Sequence, residues 1–295
     1  MTILSTRVSL STGSTRMLRV GGAGQPIILL HGYGDSAACW TGVLRHLGDR
    51  GHHAVAIDLP GFGQADPRPA GAMIDVLDTA LRDLIETLGA GSAVVVGNSL
   101  GSVSALRAAT AIPDRVAGVV TISEPTHGFS RVHLVVSAQH ESWVMRMATA
   151  QRRAPQIGPQ LMVRLGSRVL YARRGIDPAH LRGIADYIYA GGEPWRAMRE
   201  VRELALGAAD FYDLTAVRCP ALIMHGDKDR VIPVSSSRRI SAAIRGSELL
   251  VLNGLGHCPQ VEAPDRIAAA LSSFVQRRCQ PNRSEGKAVH GTQGS

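Results

Sequence analysis

Runs of consecutive apolar residues recur along the chain, separated by turn-forming residues. A run that is apolar at every position is typical of a strand buried on both faces, as in a parallel sheet. The N-terminal segment instead predicts a hairpin, with strands at Arg7–Leu10 and Arg16–Val20, followed by a glycine loop at 21–24. Buried strands are predicted at 26–30, 54–57, 93–96, 116–122, 221–224 and 247–252.

Between these strands, apolar residues recur at the three- and four-residue spacing of amphipathic helices. Asp35 or Ser36 is expected to cap the first helix. Strands that alternate with helices predict a parallel sheet with helices on both faces, and ligands bind such sheets at the carboxyl ends of the strands. Helices are predicted at 37–47, 73–88, 102–111, 235–244 and 264–277.

The alternation stops after Pro125 and resumes near Asp213. The intervening residues carry arginines, methionines and helical segments, such as Ser142–Arg152 and Pro194–Leu206, without a strong strand signal. We interpret them as a helical cap over the site, with the arginines on a solvated face. The predicted division is an α/β core of residues 1–125 and 214–279, a cap of residues 126–213 and a disordered polar tail of residues 280–295.

Composition narrows the class of protein. The chain has 295 residues, of which 45% are hydrophobic and 19% charged, as expected for one large globular domain with an insertion. The formal charge is +8, and only Lys228 and Lys287 are lysine, a bias that we attribute mainly to genomic base composition. The charge also favours contact with acidic lipids or anionic substrates. Basic residues do not form a stripe with interleaved aromatics, so no nucleic-acid partner is expected.

The four cysteines match neither a zinc site nor a CxxC redox motif, so free thiols in a reducing compartment are expected. The N-terminus lacks the apolar core of a secretory signal, and no run reaches the roughly 20 apolar residues of a membrane span. A cytoplasmic location follows as an expectation.

The most informative stretch is Gly97-Asn98-Ser99-Leu100-Gly101, between a predicted buried strand and a predicted helix. This pattern is that of a nucleophile elbow, in which a strained turn lifts a serine hydroxyl out of the sheet edge. Glycine is expected at both flanks because a side chain there would collide across the turn. The alternative is a loop serine that only caps the helix at 102–111.

A nucleophilic serine needs a base and an orienting carboxylate. His257 is the candidate base, because it follows the last predicted strand in a Gly-x-Gly-His loop; the alternative is a surface loop histidine. The carboxylate is Asp227 or Asp229, and we favour Asp229, whose spacing from Gly226 lets its side chain turn back toward the histidine loop. Glu124 is a more distant candidate.

The chain order serine, acid, histidine resembles that of α/β-hydrolases. The resemblance extends from about Arg16 to Val275 and implies an α/β fold: a mostly parallel eight-stranded sheet flanked by helices, with a helical cap inserted after strand 6. It implies no metal and no cofactor. Its motifs are His31-Gly32-Tyr33-Gly34, Asp58-Leu59-Pro60-Gly61-Phe62-Gly63, Gly226-Asp227-Lys228-Asp229 and Gly256-His257-Cys258-Pro259.

The resemblance also implies roles for residues near Ser99. The backbone N–H groups of Tyr33 and Leu100 would form the oxyanion hole, and Tyr33 could also be a wall of the acyl pocket. The implied activity is a serine hydrolase, acting on an ester-type acyl bond of a small or medium apolar molecule. Further substrate contacts are expected from His31, Gly32, Asn98 and Cys258.

Other activities fit the same fold, because fold does not fix substrate. Serine at the elbow argues against haloalkane dehalogenases and epoxide hydrolases, whose relatives carry aspartate there. With Asn98 before Ser99, the pattern Gly-Asn-Ser-x-Gly resembles the elbow of carbon–carbon bond hydrolases of meta-cleavage products. Those relatives usually have tryptophan after the catalytic histidine, where this chain has Cys258. Thioesterase, lipase and cofactor-free haloperoxidase activities also fit. A non-catalytic, hydrolase-like ligand receptor is the alternative from another class.

Overall fold

The computed structural model describes residues 1–126, 166–173, 176, 178–189, 200, 204 and 212–279. Within these ranges the chain forms one eight-stranded sheet. Its strands are β1 (Leu4–Leu10), β2 (Gly13–Val20), β3 (Ala23–Leu30), β4 (His52–Ile57), β5 (Ala93–Asn98), β6 (Val116–Ile122), β7 (Ala221–Gly226) and β8 (Glu248–Leu252). The predicted mostly parallel eight-stranded sheet is therefore confirmed, although β3 begins at Ala23, inside the predicted glycine loop.

The strand order is β1-β2-β4-β3-β5-β6-β7-β8. The β1–β2 hairpin is antiparallel and pairs antiparallel with β4, whereas the neighbours from β4 to β8 are all parallel. The order reverses at β3, because β4 pairs with one of its sides and β5 with the other. Leu30 is in register with Gly97, so the segments that follow β3 and β5 meet in the crevice where such sheets bind ligands.

Helices cover both faces of the sheet. A short 3-10 helix at Ala37–Trp40 precedes α1, where the sequence predicts continuous α-helix, and a π-helical turn at Val275–Cys279 follows the last α-helix. Residues 166–170 are also helical. The numbered α-helices are α1 (Thr41–Asp49), α2 (Met73–Thr87), α3 (Leu100–Ala111), α4 (Pro178–Tyr189), α5 (Ser235–Ala243), α6 (Pro259–Glu262) and α7 (Pro264–Phe274).

The core lies on the two faces of the sheet. Alternate residues of a strand point to opposite faces, so Ile28 and Leu30 pack with α2 and α3, whereas Ile27 and Leu29 pack with α1 and α7. All four side chains are fully buried. The continuous apolar runs in the sequence therefore have the cause that we expected, because both faces of the central strands are covered.

Asp58, at the end of β4, organises the chain on one side of the crevice. Its fully buried carboxylate pairs with Arg16 through contacts of 2.9 and 3.1 Å and accepts the Ala37 N–H at 2.7 Å. The helix that begins at Ala37 is thus capped by the residue that follows β4. Of the two expected caps, the Ser36 side chain makes no cap hydrogen bond, and Asp35 accepts the N–H of Ser36. A Cβ atom at Gly63 would lie 2.5 Å from the Asp58 carboxyl carbon, so glycine is required in this turn.

Only parts of the segment between β6 and β7 are described. They include α4, which the sequence pattern did not predict, and Glu200 and Leu204, both helical and within the predicted helix at 194–206. The predicted helix at 142–152 and the tail at 280–295 lie outside the described residues, and the division into core and cap stays a prediction.

In the described ranges no helix combines the length and apolar character needed to cross a bilayer. All four cysteines are free thiols, as predicted.

Candidate active site

Ser99 occupies the turn between β5 and α3. Its backbone has φ +51° and ψ −112°, a conformation that costs energy for any residue with a side chain. The Ser99 N–H donates to the Ile122 carbonyl at 2.9 Å, which ties the turn to β6. Ser99 stands at the N-cap position of α3, but its hydroxyl makes no capping hydrogen bond, so the side-chain cap considered as the alternative is not observed.

The glycines beside Ser99 are required by contact distances. A Cβ atom at Gly97 would lie 2.0 Å from the carbonyl carbon of Gly101, the collision across the turn that we predicted. At Gly101 the obstacle is different: a Cβ atom would lie 2.3 Å from the Leu30 carbonyl oxygen of β3. The elbow is therefore packed against its neighbouring strand as well as against itself.

His257 and Asp229 form a hydrogen-bonded pair on the other side of the crevice. Nδ1 of His257 lies 2.9 Å from Oδ2 of Asp229, and both side chains are buried. The other carboxylate oxygen accepts the backbone N–H groups of Val231 at 2.8 Å and Ile232 at 2.9 Å. Burial alone would favour the neutral acid, but hydrogen bonds from His225, His257 and the Ile232 amide hold the pKa of Asp229 well below its usual range.

The other candidate carboxylates have different partners. Asp227 accepts the Gly254 N–H at 2.6 Å and pairs with Lys228 at 3.2 Å, as a turn residue does. Glu124 is fully buried and accepts hydrogen bonds from Thr126 and Tyr212. Of the three acids considered from the sequence, the structure brings Asp229 to His257.

His225 is a member of this network that the sequence interpretation missed. Its Nε2 lies 3.0 Å from the Ile232 carbonyl and 3.3 Å from the Asp229 carboxylate, and both are acceptors, so this nitrogen carries a proton. Its Nδ1 lies 2.7 Å from the Ser237 hydroxyl. Asp229 therefore lies between two imidazoles. The position of His225 at the end of β7, directly before the Gly226–Asp229 turn, was the available signal.

Asn98 connects the elbow strand to the histidine loop. Its side-chain amide donates to the His257 carbonyl at 3.0 Å, and its oxygen accepts from Gln260 at 3.1 Å. The residue predicted to contact substrate thus has its amide engaged in the scaffold, although it also lines the cavity. Next to His257, burial raises the pKa of the Cys258 thiol and keeps it neutral.

Ser99 and His257 line one cavity of about 320 Å³. Gly32, Tyr33 and Leu100 line it as well, so the residues expected to form the oxyanion hole border the same cavity as Ser99. The Leu100 amide is the first of α3 and has no acceptor within that helix, whose positive dipole end points into the cavity. The other described walls are mostly apolar and include no lysine or arginine: Asp35, Asn98, Val103, Pro125, Thr126, Leu170, Ile184, Leu204, Val231, Ile232 and Cys258.

His31, which we expected to contact substrate, lies behind this cavity and is fully buried. Its Nε2 accepts the Leu59 N–H at 2.9 Å, so Nδ1 carries the proton and donates to the Gly32 carbonyl at 2.7 Å. Burial lowers the pKa of His31 to about 4. The imidazole thus holds the loop that carries Tyr33.

The Tyr33 side chain points toward residues of the segment between β6 and β7. Its hydroxyl donates to Glu200 at 2.6 Å, and Tyr187 of α4 donates to the same oxygen at 3.1 Å. The ring packs edge-on against Phe62. Burial raises the pKa of the Tyr33 phenol, so the hydroxyl stays a donor.

Among the described residues, no three His, Cys, Asp or Glu side chains are grouped to hold a metal ion.

This combination of fold and site is that of a serine-centred α/β protein, and comparison with known proteins gives the family. The profile of the alpha/beta hydrolase fold family matches residues 25–264. The chain belongs to that family.

Individual relatives extend the comparison. The chain is 27% identical over 265 residues to 2-hydroxy-6-oxononadienedioate/2-hydroxy-6-oxononatrienedioate hydrolase 2 of Pseudomonas putida, covering 87% of this chain and 90% of that protein. A thermophilic esterase from Thermogutta terrifontis has a TM-score of 0.70 at 23% identity, with coverage of 94% and 100%. The meta-cleavage product hydrolase from Pseudomonas fluorescens has a TM-score of 0.71 at 22% identity, with coverage of 92% and 97%. The two structures share the fold.

The neutral state of His31 predicts how stability depends on pH. Below pH 6.5 the unfolded chain protonates this histidine, whereas the folded protein resists protonation until about pH 4. The free energy of unfolding should therefore fall by up to about 3 kcal/mol between these values from this residue alone. The side-chain carbonyl of His31→Gln can still accept the Leu59 N–H. When the free energy of unfolding is measured with urea at a series of pH values, it should fall less steeply with decreasing pH in this variant. A slope equal to that of the wild type would contradict this role.

Proposed function

We propose that this protein is a serine hydrolase that cleaves an ester-type acyl bond of a small or medium apolar substrate. The proposed nucleophile is Ser99, the base is His257, and Asp229 orients the base. The observation that carries the proposal is that the strained elbow serine and the hydrogen-bonded His257–Asp229 pair line the same cavity. A buried pair of this kind beside a strained serine is the arrangement that nucleophilic catalysis needs.

The proposed reaction begins with transfer of the Ser99 hydroxyl proton to Nε2 of His257. The serine oxygen attacks the carbonyl carbon, and the negative charge moves to the carbonyl oxygen. When the tetrahedral intermediate collapses, the imidazolium gives its proton to the leaving alcohol, and an acyl-enzyme remains. Water then attacks the acyl carbon with His257 as base, which releases the acid and restores the serine.

Asp229 and the backbone amides would support these steps. The carboxylate, kept ionised by its hydrogen bonds, fixes the proton of His257 on Nδ1 and stabilises the imidazolium that forms. The amides of Tyr33 and Leu100 would donate to the oxyanion. Donors held in place before the reaction stabilise developing charge without reorganisation, and one such donor contributes about 3 kcal/mol.

The cavity walls favour an uncharged acyl group over a dicarboxylate. The described walls are mostly apolar, they include the carboxylate of Asp35, and they present no lysine or arginine to an anionic substrate. The Pseudomonas putida relative is by name a hydrolase of dienedioates. Carbon–carbon bond hydrolysis remains the second candidate, because Asn98 stands beside Ser99 and this relative covers most of the chain.

Removal of the Ser99 hydroxyl tests the nucleophile. Ser99→Ala should lower the turnover of short p-nitrophenyl esters by at least about 10³-fold and abolish labelling by a fluorophosphonate. Ser104→Ala is the matched control, since Ser104 is also buried in this region and its hydroxyl has no hydrogen-bond partner in the described part of the chain. Turnover by S99A at the wild-type rate would refute the proposal, and labelling of Ser99 without turnover of any ester would favour a ligand receptor.

Two neighbouring aspartates distinguish the orienting acid. Asp229→Asn should reduce kcat about 10²- to 10⁴-fold, because an amide cannot stabilise the imidazolium. Asp227→Asn should reduce it less than about threefold, because Asp227 pairs with the Gly254 turn and Lys228 and not with His257. Steady-state kinetics on one ester measure both variants. The reverse order of effects would assign the role to Asp227.

The charge of the acyl group tests the substrate class. p-Nitrophenyl butanoate and mono-p-nitrophenyl succinate have acyl chains with the same number of carbons, but the second ends in a carboxylate. We expect kcat/KM for the succinate ester to be at least about tenfold lower, because burying its charge against apolar walls is unfavourable. A preference for the succinate ester would instead favour the anionic substrates of the dienedioate hydrolases.

A further inference from the structure

The His257 loop and one wall of the cavity are held by the same carboxylate, that of Glu262. This residue ends α6, five positions after His257, and its side chain is buried. Oε1 accepts the backbone N–H of Gly256 at 2.6 Å. Oε2 accepts the N–H groups of Ala172 and Arg173, both at 2.9 Å. One oxygen therefore holds the loop before the proposed base, and the other holds the segment at 166–173.

Two further contacts join the same parts of the chain. The His257 N–H donates to the Leu170 carbonyl at 2.8 Å, and Leu170 lines the cavity. A Cβ atom at Gly256 would lie 2.7 Å from that carbonyl oxygen and 2.9 Å from Oε1 of Glu262. Glycine at this position is thus needed for the close approach of the two segments.

We propose that Glu262 is a positioning residue that fixes the His257 loop and the Leu170 wall as one unit. The inference rests on the proposed function, because it takes His257 as the base that acts on Ser99. Its consequence is that the place of the imidazole and the shape of the acyl pocket depend on each other. A change in the wall would move the base, and a change in the loop would move the wall.

The need for a carboxylate follows from its partners. Both oxygens of Glu262 accept, and all three partners are backbone donors. A glutamine has almost the same size, but one of its terminal atoms is an NH2 donor. In Glu262→Gln this donor must face either Gly256 or the amides of Ala172 and Arg173. The variant therefore has to release the loop or the wall while the side-chain volume stays nearly the same.

The test compares kcat and KM for acetyl and hexanoyl p-nitrophenyl esters in the wild type, E262Q and Glu124→Gln. Glu124 is the matched control: it is a buried carboxylate that accepts a backbone N–H, from Thr126, and a Tyr212 hydroxyl, on another side of the cavity. E262Q should lower kcat about tenfold or more for both esters, because a displaced imidazole impairs attack on any acyl group. E124Q should keep kcat for the acetyl ester within about threefold of wild type.

Three results would overturn the inference. A loss confined to KM for the hexanoyl ester would assign Glu262 to the wall alone. A lower Tm of E262Q with wild-type kinetics in the folded protein would show that Glu262 only stabilises the fold. An equal loss of kcat in E124Q would show that any buried carboxylate near the cavity has this effect. S99A distinguishes failure of the proposed function from failure of this inference. If S99A retains turnover, the proposed function fails, whereas an inactive S99A with an unaffected E262Q rejects only the role of Glu262.

Amide hydrogen exchange in the wild-type protein tests the coupling without any variant. After Ser99 reacts with a fluorophosphonate, peptides that contain Gly256 and peptides that contain Ala172 and Arg173 should change protection together. A change in one segment without the other would overturn the proposal, even if E262Q fails to fold.

Discussion

The parallel pairing of β3 with β5 is the constraint on which the site depends. It places the end of β3 beside the end of β5, with Leu30 in register with Gly97. Because the order of strands reverses there, the loop after β3 and the elbow after β5 face each other across an open crevice. The contact is so close that the Leu30 carbonyl leaves no room for a side chain at Gly101. Sheet pairing thus sets where Tyr33, Ser99 and Leu100 can meet.

Buried carboxylates hold several of the other segments in place around the site. Asp58 and Glu262 accept backbone N–H groups from segments distant in sequence. Asp229 accepts those of the nearby Val231 and Ile232 and pairs with the distant His257, and Glu124 accepts one from Thr126. A buried charge is costly unless it is hydrogen-bonded, so each acid enforces a specific approach of its partners. In a chain with few aromatic residues, these contacts give the loops a precision that aliphatic packing alone does not provide.

The sequence predicted those features whose signals are local. Apolar runs located the buried strands, and the Gly-x-Ser-x-Gly turn located the elbow, because both patterns arise from the conformation of a few adjacent residues. His225 and Glu262 were missed because their roles come from contacts between segments. The place of His225 beside the Gly226–Asp229 turn was a weak local signal, and the pattern around Glu262 is that of an ordinary helix end. Helix α4 lies in the segment that the sequence predicted to be helical, but its bounds were not predicted.

Tyr33 shows how chemistry and recognition can change separately in such a protein. Tyr33 lines the cavity together with Ser99, while its phenol donates to Glu200 in the segment between β6 and β7. Any amino acid except proline supplies the same main-chain donor. Exchange of the side chain can therefore alter how this loop contacts Glu200 while the main-chain donor that we propose for the oxyanion is kept. Under the proposed function, substrate preference can therefore change at this position while the reaction centre stays intact.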